Sequence, residues 1–475
     1  MEKSSFKSLL KRLRFFPFSY DKSLKKSLMK WLLLGLLIRL VLMPITAQND
    51  LVTNYIFSHY IAKHNTYDIY SLRQISPSIA LLYPPLAYYY MAAVLWVFDP
   101  LLPRNYCQVF DNALKVGVAA SANGIPLEST YRLVWTYVMD NLGSGFYVFA
   151  FLVKLPSLIF DFGCAFILLR LIEDRKKAGT VFKFWVLNPV VIVVTYMQGQ
   201  FDIVPAFLIL LSIYFIKSQK LNKSFLSLGL SVAFKLFPVL LVPFNLLLSR
   251  NTHKKSSTKF KSLYLLAIAI GPLLISVLPF FGNYLLNIHS WQFSTTTPGA
   301  LSFKLNDLDL IFPYAMVYTF LLLFAWQNSR FSHISVAKYS LSALLAYYAL
   351  SFFHPQYFVW ATPLILLLMA YMPNFKKYYI IQLLTFFIYT FNWGRYYALN
   401  FFTPVYQGFF DWLSPKEIIA YYVDPTLVTG VVRSAFSAVS LWMIWEMIKT
   451  ERKTTNASVS EKTPDESINS NKDQS

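Results

Sequence analysis

WLLLGLLIRLVLMPITAQND, residues 31–50, decides the fold. From Trp31 to Ala47 the run is strongly apolar, and Arg39 is its one charge. Its length is close to what a helix needs to cross the hydrocarbon layer of a bilayer. Asp50 is the first acidic residue after it and is expected just past the membrane. The basic lead over residues 1–30 is too long for a cleaved signal peptide, and Arg39 breaks the apolar region such a peptide needs. The segment reads as a retained span.

The rest of the chain repeats the pattern. It has 475 residues, 56% hydrophobic and only 14% charged, where soluble domains carry roughly 25% charged residues. So few charges cannot coat a globule of this size, and the class is integral membrane, all-α and polytopic. The runs are continuously apolar and lack the alternation of a membrane β-barrel. The net charge of +20 is a topology signal, and a nucleic-acid partner is not expected. Lys and Arg gather in short segments between spans, as in cytoplasmic loops: Lys22 to Lys30, Arg175 to Lys177, Lys217 to Lys223, Lys254 to Lys261, and Lys376-Lys377. The two cysteines, Cys107 and Cys164, fall in an outer loop and a span, so no disulfide is expected.

Three regions follow from this pattern. Residues 1–27 read as a basic interfacial segment, 28–449 as the polytopic domain, and 450–475 as a disordered cytoplasmic tail. The first span covers about 28–47 and the next certain one 145–171. Between them the apolar piece 83–102 is ambiguous. If it crossed the membrane, the basic cluster after 171 would lie outside. Its tyrosines and prolines suit the outer interface, so 48–144 reads as one large external loop. The later spans then alternate: 181–198 outward, 203–217 inward, 224–249 a bent hairpin about Lys235, 262–283 outward, 308–326 inward, 337–353 outward, 357–372 inward, 378–392 outward and 427–448 inward. Both termini are cytoplasmic in this scheme. No internal repeat is visible, unlike many secondary transporters.

This topology sends a set of polar residues to one face: Asp50, Lys154, Gln200, Asp202, Lys235, His354, Gln356, Tyr357 and Arg395, with Tyr83 in the external loop. Ionisable groups near the membrane are costly and usually mark function or pairing. Each also has an ordinary reading. Asp50 fits a solvated loop, Lys154 and Arg395 fit snorkelling to headgroups, Asp202 fits a helix cap, and His354 fits a turn. Arg39 and Asp161 lie at equal depths, nine residues from Lys30 and Arg170 respectively, and are expected to form an intramembrane ion pair.

The order of motifs resembles the glycosyltransferases of the GT-C fold. The residues concerned are Asp50, Tyr67 to Tyr70, Tyr83-Pro84-Pro85-Leu86, Lys154-Leu155-Pro156 with Asp161, Leu187-Asn188-Pro189, Gly199-Gln200-Phe201-Asp202, and Phe234-Lys235-Leu236-Phe237-Pro238. Several are similar to bacterial polyprenol-phosphate-mannose-dependent mannosyltransferases. His354-Pro355-Gln356-Tyr357-Phe358-Val359-Trp360 resembles the GPI-anchor mannosyltransferase that adds the first mannose.

The resemblance implies a GT-C-like helical bundle in a membrane, here a bacterial plasma membrane, with an extracytoplasmic site. It implies transfer of a hexose, mannose favoured, from a polyprenyl-phosphate-sugar donor to a lipid or glycan acceptor. Asp50 would be the base, and a single displacement would invert the anomeric centre. Gln48-Asn49-Asp50-Leu51 lacks a second carboxylate beside Asp50, so no metal site and no cofactor are expected. Lys154, Lys235 and Arg395 would stabilise the departing phosphate, with His354 and Tyr357 as hydrogen-bond donors. The competing functions are a lipid-linked-sugar flippase or transporter, a surface-glycan polymerase or ligase, and a non-catalytic scaffold.

Overall fold

The computed structural model describes residues 22–75, 81, 83–249, 258–292, 303–304, 310–327, 332–352, 354–391 and 399–460. The interfacial helix expected in 1–27 falls almost wholly outside them, as does Arg395. Among the described residues 84% are helical, which settles the all-α class. Among the described residues, strand is limited to a two-residue antiparallel pairing of Phe303–Lys304 with Leu310–Ile311.

The opening apolar run forms the helix Lys22–Ile45, with Pro44 in its last turn. Four further helical stretches are long and apolar enough to cross a membrane: Gly145–Leu171, Arg175–Met197, Phe260–Asn287 and Pro425–Glu451. Phe260, Ile275 and Trp445 are exposed on such helices, as expected for surface that meets lipid tails. The chain is a multi-pass membrane protein.

The segment that follows the first span, expected as one large loop, contains regular helices. Three residues after the first helix ends, the chain turns back into helix at Asn49–His64. That helix stops where Asn65 adopts the left-handed conformation, φ 54°, and its N–H bonds Tyr60 O. The Tyr83-Pro84-Pro85 segment starts the helix Pro85–Phe98, with Pro85 at the first position, where its missing N–H costs nothing. The stretch after it forms the helices Tyr106–Ala122 and Leu127–Leu142, which pack on each other and on Asn49–His64. Each presents an apolar face, including Phe110, Ala113, Trp135 and Val138.

Small residues bring the membrane helices close. Ser212 and Ser224 share a hydrogen bond of 2.8 Å between Ile203–Lys217 and Leu221–Phe234, and Ser227 and Ser231 donate to Leu208 O and Pro205 O. At Gly229 an added Cβ would stand 2.6 Å from Ala269 O. The expected bend falls at Lys235, whose extended backbone breaks the helix before the turn Phe237–Leu241. The last helix, Pro425–Ser460, runs past the boundary expected at 450. It is held to His333–Leu350 by a buried Lys338–Glu451 pair at 2.7 Å, which the sequence reading missed.

Arg39 and Asp161 meet at 2.6 Å, both with fully buried side chains. The carboxylate also accepts from Trp185 Nε1 at 2.8 Å and Tyr196 Oη at 2.7 Å. Arg39 Nη1 donates to Gly35 O and Val186 O. Three membrane helices therefore converge on one carboxylate. Asp161→Asn leaves a buried guanidinium without its counter-charge and is expected to cost about 3–5 kcal/mol, read as a lower thermal midpoint in detergent. Reversing both residues should recover part of the loss seen with either single reversal, because Trp185 and Tyr196 still require an acceptor. A midpoint unchanged in Asp161→Asn would contradict this.

Candidate active site

Asp50 lies in the first turn of Asn49–His64, at the positive end of the helix dipole. It is neither a loose loop residue nor paired with a second acid in sequence. Its partner comes from the turn after the Arg175–Met197 stretch. Residues Ile192–Met197 form a wide helical turn, in which Gln198 N–H bonds Val193 O and Gln200 N–H bonds Val194 O. Such widened turns re-aim the side chains that follow them. Gly199 then reverses the chain at φ +81°, and Gln200 Nε2 donates to Asp50 Oδ2 at 2.8 Å.

Asp202 and Lys235 form the second half of the site. Lys235 Nζ lies 2.5 Å from Asp202 Oδ1, and Trp360 Nε1 donates to the same oxygen at 2.5 Å. The ammonium is boxed by aromatic rings, at 4.9 Å from the centre of Tyr83, 5.2 Å from Phe201, 5.4 Å from Tyr357 and 5.3 Å from Trp360. Tyr357 stacks on Trp360 with centroids 4.1 Å apart, and Phe237 stacks on Trp360 at 3.5 Å. Asp202 is thus neutralised by a buried cation, whereas Asp50 keeps only a neutral amide donor and remains partly open to solvent.

The environments of these groups differ accordingly. Burial holds the Asp50 carboxyl above the usual carboxylate range, with Asp202 adding to it and the Gln200 hydrogen bond and Lys235 charge opposing it. The Tyr131 phenol is pushed up to about 12 by burial and then by the Asp50 charge. His354 is pushed down to about 4 by burial and then by Lys235, so its ring is neutral at neutral pH. It lies 5.5 Å from the Tyr357 ring. Gln356 is buried in the turn Pro355–Tyr357.

Lys154 is placed differently from the other cations. Its ammonium is buried and donates to Met43 O at 2.9 Å and to Thr46 O. It satisfies carbonyls that the end of the first helix leaves without intrahelical partners. Trp360, Gln198 and Tyr131 were given no site role from the sequence, although Trp360 closes the motif that begins at His354. Trp360 had a signal, since it lies three residues beyond Tyr357 and so on the same helical face.

Buried polar atoms without a hydrogen-bond partner among the described residues concentrate on these turns: Gln48 Oε1, Asn49 Nδ2, both side-chain atoms of Gln198, Gln200 Oε1 and Asp202 Oδ2. Leaving such groups unpaired is costly, and they mark a place that polar molecules fill. An apolar cavity of about 310 Å³ lies between the helices Asn49–His64, Tyr106–Ala122 and Leu127–Leu142, lined in part by Thr53, Ile56, Leu114, Val118, Tyr131 and Val134.

The mannosyltransferase (PIG-M) family profile matches residues 195–297, which include Gln198, Gln200, Asp202 and Lys235. The chain is similar to GPI mannosyltransferase 1 of Candida albicans, 31% identical over 127 residues, 25% of this chain and 31% of the relative. It is similar to the Kluyveromyces lactis protein of the same name, 29% identical over 22% of this chain and 26% of the relative. The Saccharomyces cerevisiae protein is also 29% identical, over 23% of this chain and 28% of the relative. The matched region thus spans no more than a third of these relatives' lengths. No solved structure matches the chain.

Gly199 carries the geometry that joins the two halves. A Cβ there would stand 2.9 Å from Leu51 Cδ1 and 3.1 Å from Lys154 Cε, at a backbone angle that side chains resist. Gly199→Ala is expected to cost about 1–3 kcal/mol, measured as a drop in thermal midpoint. A variant as stable as the parent protein would contradict the placement of this turn.

Proposed function

We propose that this chain is a glycosyltransferase that moves mannose from a polyprenyl-phosphate-linked donor to a hydroxyl of a lipid or glycan acceptor. The observation that carries the proposal is the Asp50–Gln200 contact beside the Lys235–Asp202–Trp360 cluster. Its second half lies within the region that matches the mannosyltransferase family. The basic segments between spans support an extracytoplasmic site with both termini inside.

In this reading Asp50 accepts the proton of the acceptor hydroxyl, for which its raised pKa suits it. The acceptor oxygen bonds to the sugar's anomeric carbon as the bond from that carbon to the phosphate oxygen breaks. The electron pair leaves with the polyprenyl phosphate, and the configuration inverts. Asp202 pairs with Lys235 and holds it in its aromatic box, where the remaining ammonium protons face the leaving phosphate. Tyr83 and Tyr357 close the box, and His354 and Gln356 line the adjacent turn. Lys154 acts beneath the site by fixing the end of the first helix against Gly199. The apolar cavity beside Tyr131 suits the lipid portion of an acceptor, where burial contributes about 0.8 kcal/mol per methylene.

Two outcomes test these roles. Asp50→Asn is nearly isosteric and cannot take the proton, so transfer should fall to background while the thermal midpoint stays near that of the parent protein. Asp202→Asn should lower the midpoint, because Lys235 loses its buried counter-charge. If Asp50→Asn keeps activity and Asp202→Asn loses it without losing stability, the roles are reversed. The second outcome is a pH profile. Transfer should rise with pH as Asp50 ionises, with the acid limb above the ordinary carboxylate value of 3.8. Gln200→Ala removes a hydrogen bond that favours the ionised form and should move that limb to higher pH. A shift to lower pH would contradict the assignment.

A further inference from the structure

The helix that begins with Asp50 ends in a second polar cluster, which the transfer mechanism does not use. His59 and His64 lie toward its C-terminal end, and Asp111 faces them from Tyr106–Ala122. His64 Nε2 is 2.9 Å from Asp111 Oδ1, and His59 Nε2 is 3.3 Å from the same oxygen. Ligating atoms from all three residues fall within 4.8 Å of one another. His59 is completely buried. Neither of its ring nitrogens has a hydrogen-bond partner among the described residues, because the approach of Nε2 to Asp111 is close without being aligned. The nearest ammonium is engaged elsewhere, since Lys63 pairs with Asp99 at 2.5 Å.

A buried imidazole with both nitrogens unpaired is costly, and a cation that takes a nitrogen lone pair removes much of that cost. Zinc bonds of roughly 2.0–2.1 Å in a tetrahedron place neighbouring ligand atoms about 3.3 Å apart. The observed separations of 2.9 and 3.3 Å are close to this spacing. Two imidazoles and one carboxylate suit Zn²⁺ or a similar transition ion better than Ca²⁺ or Mg²⁺. His64 is 43% exposed and Asp111 29%, so water can complete the shell from outside.

We propose that His59, His64 and Asp111 bind a divalent transition-metal ion of the zinc class, which clamps the external helices together. Nine residues separate His59 from Asp50, or roughly 13–14 Å along the helix. The ion therefore does not touch the reacting atoms, and its effect is to fix the helix whose first turn holds Asp50.

The full chain, purified in detergent through a tag without histidine and stripped with chelator, provides the test. Co²⁺ should bind at one equivalent with the visible bands of a four-coordinate ion, and Zn²⁺ should displace it and raise the thermal midpoint. His64→Asn, at the partly exposed ligand, should weaken binding at least about tenfold and abolish the Zn²⁺-dependent rise. Asp111→Asn should do the same, which separates ligand loss from loss of a surface histidine. Absence of Co²⁺ bands and of any Zn²⁺ effect in the parent protein would overturn the proposal. So would a Zn²⁺ effect undiminished in both variants.

Discussion

The Arg39–Asp161 contact is the constraint on which the rest of the structure depends. A guanidinium and a carboxylate buried among membrane helices must find each other and further polar partners, because neither water nor lipid satisfies them there. Asp161 meets this condition by drawing in Trp185 and Tyr196 as well as Arg39. Tyr196 then connects the network to the site. Its backbone oxygen accepts from Thr46 Oγ1 at 3.3 Å, and Lys154 holds the carbonyls of Met43 and Thr46 from below. Asp50 enters from the Thr46 side and Gln200 from the Tyr196 side. The structural pair thus sets the register in which the two halves of the site meet.

The site itself rests on an asymmetry between two carboxylates. Asp202 has a buried ammonium and an indole N–H on one oxygen and so holds Lys235 in place. Asp50 has one amide donor, a helix N-terminus behind it and partial access to solvent. On the proposed function, two acids whose surroundings differ in this way divide into a holder and a proton acceptor. Neighbouring buried polar atoms without partners among the described residues extend this polar surface.

Much of this was legible in the sequence because membrane physics leaves few options. The length of each apolar run located the principal spans, and the equal depths of Arg39 and Asp161 pointed to their contact. A lysine in an apolar stretch located the break at Lys235. What was not legible lay outside the hydrocarbon layer or at backbone level. Residues 103–144 looked like loop because no single run was apolar enough for a span, yet their amphipathic faces pair into two helices. Lys154 was read as a phosphate-binding cation, since nothing in the sequence shows that the end of the first helix needs its ammonium. Lys338 and Glu451 lie 113 residues apart and at the ends of runs, where either passes for a solvated charge. His59 and His64 are five apart rather than the three or four that mark one helical face, so their meeting with Asp111 carried no spacing signature.

Sugar transfer by the purified chain in proteoliposomes tests the central claim most directly. Radiolabelled mannose is offered on a polyprenyl phosphate in one arm and on a nucleotide diphosphate in the other, and label in the acceptor lipid or glycan fraction is counted. The account predicts label from the polyprenyl-phosphate donor alone, with the anomeric configuration inverted in the product. Transfer from the nucleotide sugar, retention of configuration, or movement of the intact lipid-linked sugar across the bilayer without transfer would contradict it.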